Sequence, residues 1–241
     1  MRRVLEFWFH LVFFYLVVLL PFSTWRRRWR FSRASGEDTR PRPAPRQVYL
    51  QVIFIQWFTA GAVVFVFWRF GIPLAALGLA APSVVPLVVS AVVLAIAWAF
   101  WLHYQRRALA DPVKVARLRS RFGGISLLIP TSDAELRLWV LLSITAGVCE
   151  EVLYRGYLGF YLGRFMPLAA VAVLASAFFG LAHIYQGWKN ALRTMVVGAL
   201  LWGLYLATGS IFPGMILHAA LDIRSGQILR RAFTDPAPTA A

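Results

Sequence analysis

The sequence predicts an all-α bundle of about seven transmembrane helices. Three observations predict it. Hydrophobic residues fill 60% of the 241 positions and mean hydropathy is +0.66, far from the values of soluble domains. The apolar residues fall into seven runs, most of them long enough to cross the roughly 30 Å of bilayer hydrocarbon. Lysine and arginine gather in the short stretches between runs.

The runs, in order, lie at about residues 4–22, 48–70, 84–102, 137–158, 167–185, 192–207 and 211–229. Arg2 and Arg3 precede the first in the manner of a signal peptide. Its apolar part is long, however, and no small-x-small cleavage site precedes Trp25-Arg26-Arg27-Arg28, so it reads as a retained span. The sixth is the shortest. Between the first two runs, Ser35 to Pro45 carries Gly36, Pro41, Pro43 and Pro45 and reads as a flexible cytoplasmic loop. Three regions follow: an N-terminal membrane region with basic cytoplasmic loops (1–122), a core (137–229) and a disordered tail (230–241). There is no internal repeat. The lone Cys149 has no partner for an internal disulfide and reads as a small buried hydrophobe.

A net charge of +15 suggests nucleic acid until its placement is considered. Eight arginines lie between Trp25 and Arg46, and six basic residues between Arg106 and Arg121. Short basic loops beside spans are cytoplasmic, where anionic lipid headgroups are their natural partners, and no nucleic-acid partner is expected. Seven spans then put the N-terminus outside and the C-terminus in the cytoplasm, with 20 of the 25 lysines and arginines inside. The expected setting is a bacterial cytoplasmic membrane. Trp25, Trp29, Trp101, Tyr104, Tyr185 and Trp188 fall near span ends, as an interfacial aromatic belt does.

Ionisable residues inside spans are confined almost wholly to the second half. A carboxylate at the centre of a membrane helix costs on the order of 3 kcal/mol, so Glu150 and Glu151 side by side in the apolar stretch from Leu138 to Gly163 require a reason. Glu151 and Arg155 are four apart and pair along one helix face, as Glu150 and Tyr154 can. That leaves Glu150 as the spare carboxylate. A second cluster, Phe179-Gly180-Leu181-Ala182-His183, has Ser176 and Gly180 near one face for close helix packing. The third is His218-Ala219-Ala220-Leu221-Asp222, in which Asp222 can orient the imidazole. Each has a bland reading, the first as a structural ion pair and the others as satisfied core histidines. Three such clusters in neighbouring spans favour function. His10 and His103 stand alone at span ends and read as interfacial.

The order Glu-Glu-x-x-x-Arg, Phe-x-x-x-His and His-x-x-x-Asn/Asp in consecutive apolar segments resembles the CPBP family, the CaaX proteases and bacteriocin-processing enzymes, which are intramembrane endopeptidases. The resemblance covers about residues 137–229, with Asp222 at the position that is Asn or Asp. It implies hydrolysis of a peptide bond in a membrane-associated protein or peptide. Glu150 would activate a water, and His183 would hold that water or shuttle its proton. His218 and Asp222 would face the carbonyl oxygen, and Arg155 would orient Glu151. A positioned base supplies typically 10²- to 10⁴-fold and an oxyanion donor about 10²- to 10³-fold.

Glu150, His183 and His218 also form a His₂Glu set of the kind that binds catalytic zinc. No two histidines stand four apart around a glutamate, as H-E-x-x-H enzymes arrange them, so a glutamic mechanism without a metal cofactor is the expectation and zinc the alternative. A proton-coupled transporter would use the same buried groups, but no inverted repeat accompanies them. A non-catalytic scaffold leaves the filled motif positions unexplained. Counted from the cytoplasmic end, Glu150 lies near mid-membrane and His183 only a few residues in, so their meeting requires helix tilt or different span limits. Neither the substrate nor the residues that bind it can be read from the sequence.

Overall fold

Hydrocarbon offers no hydrogen bonds, so a backbone that crosses it must satisfy its own N–H and C=O groups, and a helix is the local way to do so. A computed structural model describes residues 2–33 and 44–235. Every regular element among these is helical.

The first rod is α1 (Arg2–Phe14) and α2 (Leu20–Arg33), joined without a break by a π-turn at Tyr15–Leu19. It is followed by α3 (Pro45–Arg69) and α4 (Val84–Leu109). Pro45 opens α3 at a position where a missing N–H is harmless. The expected loop at 35–45 falls mainly outside the described residues. Within the second basic stretch the chain forms a further helix, α5 (Pro112–Phe122), started by Asp111, whose carboxylate accepts from the backbone N–H of Val113 at 2.9 Å and Lys114 at 3.2 Å. Arg121 of this helix donates to the Asn190 side chain at 2.7 Å, and Arg119 to the Ala232 and Asp235 carbonyls. The basic stretch is therefore pinned to the C-terminal region.

The second half starts with a reciprocal cap: the Ser132 hydroxyl accepts from the Glu135 N–H, and the Glu135 carboxylate accepts from the Ser132 N–H. From it run α6 (Asp133–Glu151), a π-turn at Val152–Tyr157 and α7 (Leu158–Leu162), a single rod in three parts. Then come α8 (Leu168–Ala182), α9 (Trp188–Thr208) and α10 (Phe212–Thr234). Helix α6 packs on α10 and α3, and α8 packs on α9. Glycines set two of these approaches. A β-carbon on Gly147 would stand 2.7 Å from the Met215 carbonyl oxygen in α10, and one on Gly180 2.7 Å from that of Ala191 in α9.

Each of the seven expected runs lies on a helix, which makes the chain an all-α polytopic bundle. Four helical stretches are by themselves long and apolar enough to cross a membrane: Arg3–Arg26, Pro45–Arg69, Val84–Arg107 and Trp188–Thr208. The last contains the sixth run, read as the shortest. The helix begins four residues earlier, at Trp188, and carries Lys189 and Arg193 on its exposed face. Residues 230–234, expected at the start of the tail, are helical. Helix α10 continues to Thr234 because Arg230 pairs with Asp133 at 2.7 Å and Ala232 is buried; residues 236–241 lie outside the described region.

Candidate active site

The site is built where the first rod of the second half changes pitch. Glu150 and Glu151 end the regular turns of α6, and the π-turn begins at the next residue, a distortion often retained at functional positions. Adjacent residues on a helix point about 100° apart, so the two carboxylates enter different surroundings.

Glu151 faces inward and is 1% exposed. Its Oε1 accepts from Arg155 Nη1 at 2.7 Å. The guanidinium, also buried, donates through Nη2 to the Gly198 carbonyl of α9 at 2.9 Å and lies 4.8 Å from the centre of the Phe179 ring. The same Oε1 meets His218 Nδ1 at 2.9 Å. Since Arg155 keeps this carboxylate charged and accepting, His218 must donate its Nδ1–H. Glu151 therefore ties α10 to the α6 rod, and Arg155 ties that rod to α9. Gly214 makes room: a β-carbon there would lie 3.0 Å from Glu151 Oε2.

Glu150 points away from the Glu151–Arg155 pair, with its side chain 13% exposed. Its Oε1 accepts from Gln56 Nε2 of α3 at 2.7 Å. Its Oε2 faces two imidazoles, with His218 Nε2 at 3.7 Å and His183 Nε2 at 4.0 Å. The His183 ring is oriented by its other nitrogen, Nδ1, which lies 2.8 Å from the Phe179 carbonyl oxygen and so carries the proton. Both histidines thus turn Nε2 toward one carboxylate oxygen. These gaps exceed a direct hydrogen bond and suit one small polar molecule held between the three groups.

The clusters read from the sequence do converge, through contacts that differ in part from those expected. Glu151 and Arg155 pair as predicted. The carboxylate that orients His218 is Glu151, whereas Asp222 approaches Nε2 to 3.7 Å from the rim with its side chain 42% exposed. The reason is geometric: Glu151 reaches Nδ1 from the neighbouring helix and leaves Asp222 only the outer edge of the ring. Tyr154 does not bond to Glu150. It packs edge-on against Phe179, with ring centroids 5.0 Å apart, and its buried hydroxyl has no hydrogen-bond partner among the described residues. His10, expected as a lone interfacial residue, is exposed but shares a 2.7 Å hydrogen bond with the Tyr161 hydroxyl.

The depth mismatch between Glu150 and His183 is resolved by counting from the opposite end. Glu150 lies 13 residues before Gly163 and His183 lies 16 after Pro167, so along two rods joined at 163–167 they come nearly level. Helix α8 ends at Ala182, short of the level where α6 begins.

The contribution of α3 was missed. Gln56 bonds to Glu150, and Trp57 Nε1 donates to Thr145 Oγ1 at 3.1 Å. The signal was present as an amide in the middle of an apolar run, which needs a partner as much as a charge does, but the reading weighed only ionisable groups. As metal donors, Glu150, His183 and His218 would supply one oxygen and two nitrogens. Among the described residues no group of three His, Cys, Asp or Glu is arranged to hold a metal ion.

Residues 132–224 match the family model described as Type II CAAX prenyl endopeptidase Rce1-like, in accord with the CPBP family. The likeness is confined to that segment, 93 of the 241 residues. It starts at the capping Ser132 and includes all six residues Glu150, Glu151, Arg155, His183, His218 and Asp222, while Gln56 lies outside it. The match supports a CAAX-type intramembrane endopeptidase in general, acting on a membrane-associated peptide or protein. No curated protein and no solved structure matches the chain.

Proposed function

We propose that this protein hydrolyses a peptide bond of a membrane-associated substrate by a glutamic mechanism centred on Glu150. The observation that carries the proposal is the convergence of Glu150 Oε2, His183 Nε2 and His218 Nε2 within 4.0 Å. A water among these three groups gives a proton to Glu150 as its oxygen attacks the substrate carbonyl carbon. His183 accepts the water's second hydrogen and so aims the lone pair. In its charged form His218 donates Nε2–H to the oxyanion, its positive charge balanced by Glu151 through Nδ1. Asp222 stands beside this edge of the ring and favours that charge. The proton on Glu150 then passes to the amide nitrogen as the C–N bond breaks, releasing a carboxylate and an amine.

The same three side chains are the zinc alternative, in which the metal would polarise the water. Purified protein in liposomes is expected to cleave a fluorogenic prenylated CAAX peptide after exhaustive chelation, with no stoichiometric zinc by elemental analysis. Activity lost on chelation and restored by zinc decides for the metal, and no cleavage of that peptide contradicts the CAAX-type reading of the substrate.

A further inference from the structure

Glu150 would be a poor base if its carboxylate rotated freely, because neither oxygen would be held facing the two histidines. The bond that prevents this comes from outside the Rce1-like segment. Gln56 lies on α3 and places Nε2 2.7 Å from Glu150 Oε1, leaving Oε2 alone to face His218 and His183. One residue along, Trp57 bonds to Thr145 of α6, and nearer the start of α3 the Tyr49 ring meets Trp139 of α6 with centroids 5.7 Å apart. The Tyr49 hydroxyl donates to the Leu128 carbonyl at 2.8 Å, which fixes the start of α3. The amide is therefore delivered by a helix held to α6 at two points and to Leu128, just before α6, at a third.

We propose that Gln56 is a positioning residue for the reaction: its amide N–H clamps one oxygen of Glu150 and so selects the other as the base. The chemistry suits an amide. A neutral donor holds the carboxylate without forming an ion pair, whereas lysine or arginine at this point would compete with the histidines for the same charge. The catalytic unit then extends from α3 through α6 and α8 to α10. The proposal rests on Glu150 as the reacting carboxylate, and its test separates the two ideas.

The first measurement needs no substrate. Isotope-edited infrared difference spectra of the full chain in liposomes, wild type minus Glu150→Gln, isolate the carboxyl band of Glu150. Repeating the pair in a Gln56→Met background, nearly the same shape without the donor, is expected to shift that band. An unmoved band overturns the clamp. The second measurement uses the prenylated CAAX peptide. Gln56→Met is expected to lower kcat by about tenfold or more while KM stays within about twofold and the melting temperature is unchanged. Equal kcat overturns the positioning role, and so does a fall in melting temperature that alone accounts for lost activity. If Gln56→Met fails to fold, Gln56→Asn keeps the amide but withdraws it by one methylene, and the same outcomes apply. Wild-type protein that does not cleave the peptide contradicts the proposed substrate class, while the band shift still decides the clamp.

Discussion

Glu151 Oε1 takes two donors at once, Arg155 at 2.7 Å and His218 at 2.9 Å, and this shared atom explains why the motif carries two glutamates. Glu150 faces the two histidines while its neighbour does the structural work. Removing one side of a buried ion pair leaves the other charge unpaired, which costs roughly 3–5 kcal/mol. Glu151→Gln and Arg155→Met should therefore each destabilise the protein by about that much, read as a fall in melting temperature in detergent, and activity should fall with the loss of His218 orientation. Unchanged melting of both single variants would count against the shared-atom arrangement. At this scale the sequence was highly legible: paired carboxylates in an apolar helix are so costly that they announce a partner, and i, i+4 spacing named it. Gln56 was not legible, since an amide costs less and its partner lies 94 positions away. The orientation of His218 was not legible either. Asp222 is its sequence neighbour at helical spacing, but only tertiary packing shows that Glu151 reaches the ring first.

Helices α6 and α10 meet closely enough for Glu151 to reach His218 because Gly147 presents no side chain to Met215 and Ala219. A valine at Gly147 places its β-carbon against backbone that cannot yield, so α10 must move and carry His218 with it. Gly147→Val is expected to cost about 1–3 kcal/mol in unfolding experiments and to abolish most activity. Gly61, mid-way along α3 with open space around it, supplies the contrast. There Gly61→Ala should leave activity intact and stabilise the helix by up to about 1 kcal/mol. Destabilisation by both, or by neither, would show that close approach is not what Gly147 provides. Hydropathy located the long apolar helices, because in hydrocarbon an apolar run of sufficient length has no other option. It could not foresee the π-turn at 152–157 or the end of α8 at Ala182, just before His183. Helix α5 was read as loop since its basic residues were counted as charge, although Asp111-Pro112 is a recognisable helix start.

Across the whole sequence the excess of positive charge gathers in the stretches 26–46 and 106–121, and we expect both to face the cytoplasm. The chain suits a direct test, because its single cysteine is fully buried and need only be replaced by alanine as a precaution. Cysteines introduced at Ser35 and at the exposed Arg117 should resist an impermeant thiol reagent added to intact cells and react after permeabilisation. Labelling from outside would invert the proposed orientation. The function rests on a narrower point, that one oxygen of Glu150, held before two histidines, activates the water. The most direct test is the turnover of the prenylated CAAX peptide by purified wild-type protein and by Glu150→Gln in the same liposomes, with helical content and melting compared. The account predicts a folded, inserted variant whose kcat is lower by about 10²-fold or more. A folded Glu150→Gln protein that cleaves at the wild-type rate would contradict it.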